Sequence, residues 1–325
     1  MHIKNLVVAT LCSVLVAAGT NTACGQPAST GSGQDFPRKP LRIITGGAGG
    51  GNDFAARIVA QGISDPLGQP VVVENRGTLV AVESVAKALP DGYSMLINGG
   101  STWLTPLIQK TPHEIGDLAP ISLMVKEVTI LVVHPSVPVN SVKELIAYAQ
   151  AKPGTLNYSS TVIGGSSHLA AELFKSMAGV NIVHVPYKGS NPALAGLLAG
   201  EVQVAIDGVQ LLPQIKSGKL KALGVSTAQP SPLAPGMPTI ASTGLPGYEW
   251  IGMSGIWTRA KTPEAIINRL NKEIVRVLTL PEIKDRFFKA GAEVVASSPE
   301  QFAAIIKSDI VRMGKVIKDA GIKVD

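Results

Sequence analysis

A glycine-rich turn between a short apolar run and a helix start constrains the fold of this chain most. Residues 41–45 predict a strand, residues 46–51 a tight turn, and Asn52 or Asp53 the beginning of a helix. A strand that enters a helix through such a turn is typical of α/β proteins. The first amides of the helix have no partner within the helix, so the turn also suits an anion such as a phosphate or a carboxylate.

The alternation of strand and helix continues along the chain, and a second unit begins near Ser141. Proline- and glycine-rich residues 229–247 predict a crossover segment. Asn191 is predicted to cap a helix, and Ser298 and Gln301 have the form of a capping box for one of two C-terminal helices. Further strands are predicted at residues 71–73, 95–97, 130–133, 156–159, 182–185, 202–206 and 222–225.

Composition argues for a globular protein and against nucleic-acid binding. Hydrophobic residues make up 45% of the chain, and 23 prolines fit many loops. Aromatic residues make up only 4%, and the net charge of +6 is spread along the sequence. The chain therefore has too few aromatic side chains to stack on the bases of single-stranded nucleic acid, and no nucleic-acid partner is expected.

The N-terminus has the pattern of an export signal. Lys4 precedes the apolar residues 6–18, so residues 1–24 are predicted to be a signal peptide and 25–35 a flexible tether. The apolar run is too short for a membrane span, and no later segment reaches about 18 apolar residues. Cys24 is a candidate lipidation site, although Asn21 stands where lipoprotein signals usually carry leucine; ordinary signal cleavage is the alternative. The sequence thus predicts an exported protein.

Tested against nucleotide-binding motifs, the glycine turn does not match. Gly47 and Gly49 supply the first two glycines of the dinucleotide fingerprint, but Asn52 stands where the third is required. Glu74 stands about where the fingerprint has the acidic residue that contacts the ribose, yet the residues that follow it predict a polar loop. No P-loop sequence occurs. A small carboxylate or a plain structural turn are the remaining interpretations.

Two later turns share the character of the first one. Residues 164–168 and 189–191 each follow a predicted strand and open a predicted helix, with small residues, hydroxyls and free amides. Ligands of open α/β sheets bind at the carboxyl ends of strands, where such turns converge. Three convergent helix starts with few fixed cations favour a small carboxylate held by neutral donors, although hydroxyl caps are common in any α/β protein.

The sequence offers little for catalysis or for metals. No GxSxG motif and no HExxH motif occur, so neither a hydrolase nucleophile nor a zinc site is indicated. His184 is interpreted as a core residue. His168 either contacts ligand or caps its helix, and Asp207 either orients a polar group of the ligand or caps a turn. An exported hydrolase or isomerase is the alternative function, and a dehydrogenase is disfavoured.

Segments distributed over nearly all of the mature chain are similar to one family. The chain resembles the Bug-type periplasmic solute-binding proteins, the receptors of tripartite tricarboxylate transporters. The resemblance rests on residues 40–42, 50–53, 67–76, 90–93, 157–160, 167–170, 184–189, 238–240 and 244–248.

This resemblance implies a two-lobed type II periplasmic-binding fold with a ligand cleft between the lobes. Lobe 1 is expected to contain residues 36–135 with 247–325, and lobe 2 residues 136–246. The implied protein is a periplasmic monomer without cofactor or metal that delivers a small carboxylate to a membrane permease or a sensor. The ligand-binding residues implied by position are Gly49, Gly50, Gly51, Asn52, Asp53, Phe54, Ser101, Thr102, Thr161, Gly164, Gly165, Ser166, Ser167, His168, Tyr187, Gly189 and Asp207.

One segment departs from the family pattern. After Asn75-Arg76 the family usually continues with another glycine-rich loop near the ligand, whereas this chain continues with the apolar residues 77–82. The contacts of that loop and the size of the pocket are therefore expected to differ. Ala48 also stands where the family often has proline.

Overall fold

Two mixed β-sheets organise the computed structural model, which describes residues 36–161 and 164–319. The predicted signal peptide, tether and Cys24 lie outside these residues and stay predictions. The strands of the described residues are β1 (Leu41–Thr45), β2 (Val71–Asn75), β3 (Ser94–Gly99), β4 (Leu118–Glu127), β5 (Thr129–Val133), β6 (Asn157–Ser160), β7 (Val183–Pro186), β8 (Val204–Gly208), β9 (Lys221–Val225), β10 (Gly252–Arg259) and β11 (Ala292–Val294).

Helices follow most of the strands and cover the faces of both sheets. None of the helices in the described ranges combines the length and the apolarity that a membrane crossing requires. They are α1 (Gly51–Leu67), α2 (Thr78–Ala86), α3 (Ser101–Leu104), α4 (Val142–Ala151), α5 (Ser166–Ala178), α6 (Ser190–Ala199), α7 (Leu212–Lys216), α8 (Ile240–Thr243), α9 (Glu264–Leu278), α10 (Pro281–Lys289) and α11 (Pro299–Asp319).

The helix starts agree with the sequence in part. The capping box before α11 is confirmed, because the Ser298 hydroxyl accepts from the Gln301 amide and the Gln301 side chain accepts from the Ser298 amide. The prediction that Asn191 caps its helix is wrong, since Gly189 is the N-cap and Asn191 lies in the first turn of α6. The prediction of two C-terminal helices is also wrong: the segment beginning at Glu264 contains α9 and α10 before α11.

The first sheet is built around β1, which pairs in parallel with β2 and β3 through the helical crossovers α1 and α2. Its strand order is β11-β4-β10-β3-β1-β2. Strand β10 returns late in the chain and inserts antiparallel between β3 and β4. The apolar face of α1, including the fully buried Val59 and Ile63, packs onto this sheet and against α9.

The second sheet has the order β7-β6-β8-β5-β9. Strands β6, β7 and β8 run parallel, and β5 lies antiparallel between β8 and β9. Helix α5 packs on one face of the sheet, where Leu169 and Phe174 are buried. Helix α6 covers the other face through Leu197.

The two sheets are joined at the edges where the glycine-containing turns before α1, α5 and α6 lie. Val128 alone connects the end of β4 to the start of β5, and residues 226–251 lead from β9 back to β10. Strand β10 begins and strand β4 ends beside the carboxyl end of β3. Both connections between the sheets, which we call the first and the second crossing, therefore meet the first sheet at this edge. The lobe boundary predicted after residue 135 falls beyond β5, because β5 pairs with β8 and β9 of the second sheet. The boundary predicted after residue 246 falls inside the second crossing. We refer to the two sheets with their helices as the first and the second lobe.

Candidate functional site

The glycine turn of the first lobe is held in shape by Asp53. Its carboxylate accepts from the Gly49 amide (2.9 Å), from Asn75 Nδ2 (2.8 Å) and from the Arg57 guanidinium (3.2 Å from Nε). Burial opposes the charge of Asp53, but these donors outweigh it and hold the pKa of the carboxyl below its usual range. The side chain of Asp53 is therefore committed to the turn and organises it from below.

The side chain of Asn52, one residue earlier, contacts different elements from those that Asp53 contacts. Its Oδ1 accepts from the Ser254 hydroxyl at 2.6 Å, and its Nδ2 donates to Asn98 Oδ1 at 3.3 Å. Asn98 in turn donates to Ser101 Oγ at 3.4 Å. This chain of contacts joins the turn after β1, the end of β3, the start of α3 and β10. Sequence reasoning missed Asn98 and Ser254, since their role depends on strand order.

Two other predicted residues of this lobe have side chains directed into the protein. The Phe54 ring packs edge-on against Phe287 with centroids 5.5 Å apart. Thr102 is fully buried, and its hydroxyl has no hydrogen-bond partner. Phe54 and Thr102 lie in the first turns of α1 and α3.

The turn that precedes α5 is closed by its own side chains. The Ser167 hydroxyl accepts from the Thr161 amide at 3.2 Å, and His168 Nδ1 accepts from the Gly164 amide at 3.1 Å. Both side chains are buried. Gly164 has a φ of +76°, a conformation that favours glycine. Thr161, Ser167 and His168 therefore fix the turn, while Gly165 and Ser166 stand at the uncapped start of α5.

His168 belongs to a stack of rings beneath the turn. Its ring lies 4.4 Å from that of His184, which stacks on Tyr158 at 4.8 Å. His184 Nε2 lies 2.6 Å from Ser160 Oγ, and the Tyr158 hydroxyl donates to Glu172 at 2.6 Å. His184 has satisfied polar contacts, as predicted, but it is only half-buried on the edge strand β7 and is not part of the core. Burial, reinforced by the neighbouring His184, lowers the pKa of His168 to about 4.

The lowered pKa of His168 predicts that the protein loses stability as the pH falls. Because the folded His168 binds a proton less readily than an unfolded histidine, whose pKa is near 6.5, the unfolded state takes up the proton first as the pH falls. Because of His168, we expect the free energy of unfolding to decrease by about 3 kcal/mol when the pH falls from 6.5 to 4. Urea unfolding of the wild type and of His168→Asn, which keeps an acceptor for Gly164, measures the difference. Parallel pH profiles of the two proteins would contradict the prediction.

The turn before α6 leads to a cavity in the second lobe. Gly189, with a φ of +114°, is the N-cap of α6. The Tyr187 ring packs against Gly196, and its hydroxyl donates to Glu201 at 3.4 Å, so the ring lies against the surface of α6. Asp207 lines a cavity of about 250 Å³. The other residues that line this cavity are Ser159, Ser190, Asn191, Ala193, Leu194, Leu197, Ala205, Gln210 and Leu211.

Asn191 and Gln210 are polar members of this cavity that sequence reasoning did not assign to the site. The sequence predicts a helix cap at Asn191, which is a local role, whereas the residue lines the cavity. Gln210 follows β8 by two residues. The rule that strand ends carry ligand contacts pointed to Asp207 and would have pointed to Gln210 as well.

The two lobes approach each other at Ser101, Gly164 and Ser166. These three residues line one small cavity of about 20 Å³ together with Trp250, a residue of the second crossing. The Trp250 indole donates to Ser166 Oγ at 2.8 Å, so the hydroxyl hydrogen of Ser166 is free to be donated elsewhere. The structure therefore brings predicted residues of both lobes to one place.

Three helix starts that adjoin the predicted turns lack a side-chain cap. Helices α1, α5 and α6 have Gly50, Gly165 and Gly189 as N-caps, without a side-chain cap. A side-chain cap is also missing at α2, α3, α7, α9 and α10, whereas α4 and α8 are capped by the hydroxyls of Ser141 and Thr239. Uncapped first-turn amides carry partial positive charge and can bind an anion. Groups of three or more His, Cys, Asp or Glu residues that could hold a metal do not occur in the described ranges.

Sequence comparisons match most of the chain to known proteins. The family described as "Tripartite tricarboxylate transporter family receptor" matches residues 55–322. The protein BugT of Bordetella pertussis is 32% identical over 319 residues, which cover 95% of this chain and 98% of BugT.

Solved structures resemble both the sequence and the fold. Rpa4515 of R. palustris, solved with adipate, is 33% identical with a TM-score of 0.82 and covers 89% of this chain and 99% of its own. MatC of Rhodopseudomonas palustris, solved with bound malate, is 26% identical with a TM-score of 0.79; the match covers 87% of this chain and 100% of MatC.

Proposed function

Since the chain belongs to the family of tripartite tricarboxylate transporter receptors, we propose that it binds a small dicarboxylate between its lobes. Membership of this family makes the chain a periplasmic solute-binding receptor and not an enzyme. Relatives solved with adipate and with malate support an organic diacid as the ligand class.

The observation that carries the proposal is the meeting of uncapped helix starts from both lobes. Ser101 of the first lobe and Gly164 and Ser166 of the second line one cavity. At about 20 Å³ this cavity has room for about one water, so a carboxylate accepts from its amides and hydroxyls only when the lobes stand further apart. Each charge-assisted bond contributes about 1.5–3 kcal/mol. Because the donors lie on different lobes, the ligand stabilises the arrangement in which both lobes contact it.

Within this proposal, the predicted residues take two roles. The backbone of Gly49, Gly50 and Gly51 and the side chains of Asn52, Ser101 and Ser166 contact one carboxylate. Asp53, Thr161, Ser167 and His168 hold the turns that present these groups. The far end of the ligand reaches the second-lobe cavity lined by Asp207 and Asn191.

Calorimetry with a panel of diacids from four to six carbons tests the proposal. We expect at least one acid to bind and to raise the unfolding free energy by about 2.7 kcal/mol when its concentration is 100 times Kd. Thermal unfolding then shifts upward by several degrees. Matched monocarboxylates of equal length are the control and should bind at least ten-fold more weakly. Equal affinity for the diacids and the monoacids, or no binding at all, would contradict the proposal.

The proposed partner is the membrane permease of a tripartite transporter, which the receptor approaches as a monomer in its closed form. A sensor in the membrane is the alternative partner. Uptake of the bound acid into vesicles that contain the permease distinguishes the two, because a sensor partner transports nothing.

A further inference from the structure

The side chain of Trp250 connects the second crossing to the start of α5. It is buried, with 4% of its surface exposed. Its indole nitrogen donates at 2.8 Å to the hydroxyl of Ser166, the exposed first residue of α5. Because an indole N–H can donate but cannot accept, the Ser166 oxygen is the acceptor in this bond. The hydroxyl hydrogen of Ser166 is therefore directed to some other group.

The backbone of Trp250 is anchored to the second lobe. Its amide donates at 2.9 Å to the carbonyl of Ser226, the residue directly after β9. Ser226 is fully buried and is bonded to Thr129, the first residue of β5. The Thr129 amide donates to the Ser226 hydroxyl at 3.2 Å, and the Ser226 amide donates to the Thr129 carbonyl at 2.9 Å. The two crossings are therefore joined to each other at the second lobe, and Trp250 is bonded to this junction.

The first lobe holds the opposite ends of the same two crossings. Glu127 and Gly252 pair in register as the last residue of β4 and the first residue of β10. One residue in each crossing, Val128 in the first and Ile251 in the second, lies between the parts anchored to the two lobes. Rotation of one lobe against the other is absorbed by these two residues. Trp250 then moves together with Ser166, and their hydrogen bond persists when the lobes move apart.

The hydroxyl of Ser166 forms no second hydrogen bond within residues 36–161 and 164–319. It borders the cavity between the lobes, opposite Ser101 of the first lobe. A serine hydroxyl without a partner rotates freely among its staggered positions. The indole N–H occupies one lone-pair direction, so it favours the positions in which the hydroxyl hydrogen points away from the ring. The donor is thereby oriented before a ligand arrives, which reduces the entropy lost on binding.

We propose that Trp250 is a positioning residue of the carboxylate site, because its indole orients the Ser166 hydroxyl so that this hydroxyl donates to the ligand carboxylate. The inference rests on the proposed function, since it takes Ser166 as one of the carboxylate donors. Trp250 acts through Ser166 and not through a contact of its own with the carboxylate. Without the indole donor, the hydroxyl regains its rotational freedom, and its bond to the carboxylate becomes weaker.

A double-mutant cycle tests this inference by calorimetry. The probe is whichever of succinate, glutarate and adipate binds the wild type most tightly. Trp250→Phe keeps an aromatic ring but removes the indole donor, and it should weaken binding about ten-fold. Ser166→Ala removes the ligand donor itself and should weaken binding by at least about ten-fold. When Trp250→Phe is added to Ser166→Ala, the further loss should be less than about two-fold, because the two residues act as one unit.

Trp257→Phe is the matched control for the tryptophan exchange. Trp257 is also buried, but its indole nitrogen has no hydrogen-bond partner in the described part of the chain, so the exchange removes no such bond. This variant should keep the wild-type affinity. An equal loss from Trp250→Phe with and without Ser166 would show an effect of packing and would overturn the inference, as would wild-type affinity in Trp250→Phe. Failure of all three diacids to bind the wild type would overturn the proposed function with it.

A measurement that leaves Trp250 unaltered covers the case in which Trp250→Phe does not fold. The chain has three tryptophans, and the indole N–H signal of Trp250 in an NMR spectrum is the one that persists in both Trp103→Phe and Trp257→Phe. Because linked hydrogen bonds polarise one another, a saturating diacid should shift this signal in the wild type. In Ser166→Ala the shift should be lost, and an equal shift in both proteins would overturn the inference.

Discussion

The variant Asp53→Ala should bind the preferred acid at least ~30-fold more weakly than the wild type, a loss of about 2 kcal/mol. Asp53 holds Gly49 and Asn75 through hydrogen bonds of 2.9 and 2.8 Å. Its removal takes the acceptor from the Gly49 amide and leaves Asn75 bonded only to the Gly46 carbonyl. The turn is then free to adopt other conformations, and its amides no longer converge on one point. Calorimetry with the acid that binds the wild type measures the effect.

Stability measurements and a second aspartate provide the controls for Asp53. Gly49, Arg57 and Asn75 are exposed, so the donors that lose the carboxylate regain water, and the unfolding free energy should fall by only about 1 kcal/mol. Asp65→Ala, at an exposed position of the same helix, should leave both affinity and stability nearly unchanged. If Asp53→Ala kept wild-type affinity, the turn after β1 would not be the carboxylate site.

A valine at Gly252 should reduce affinity by at least ~100-fold while the protein stays folded. The first atom of the new side chain would lie 3.1 Å from Glu127 Cβ and 3.3 Å from Ser166 Oγ, which is too close for unstrained packing. The remaining methyl groups would enter the space between the lobes. Position 252 begins strand β10 without a positive φ, and valine is a good strand residue, so the backbone itself tolerates the change.

Graded substitutions at Gly252 test whether the loss is steric. Gly252→Ala should lose less affinity than Gly252→Val, because it adds only the first contact. Gly116→Ala is the matched control, since a Cβ at Gly116 meets no atom within 4 Å and Gly116 precedes the opposite end of β4. Wild-type affinity in Gly252→Val would show that the ligand does not lie between Glu127 and Ser166.

The sequence predicted the elements that depend on local pattern. Strand β1 has the predicted bounds, because an apolar run can be recognised over a few residues. Strands β4 and β10 were not predicted. Strand β10 contains Gly252 and Gly255, which weaken a strand pattern, and the Phe302 ring packs directly on Gly255 from a helix far along the chain. Only that distant partner explains the glycine.

In the candidate site, too, the local features could be predicted from the sequence and the tertiary contacts could not. Glycine at the starts of α1, α5 and α6 is visible in the sequence, and its consequence, a helix start without a side-chain cap, is local. Which neighbouring side chain serves the turn and which faces the cleft was not visible. Asn52 and Asp53 are adjacent, yet successive residues of a helix point about 100° apart, so they contact different elements.

By itself, the sequence determined an α/β chain of the receptor family, with free amides at three strand-to-helix turns. These properties follow from residue type and short-range spacing. The tertiary structure alone decided that Ser254, about 200 residues away, completes the Asn52 contact and that Glu127 lies between the lobes. The physical reason is strand order: inserting β10 between β3 and β4 places distant residues at one edge, and no local pattern encodes that insertion.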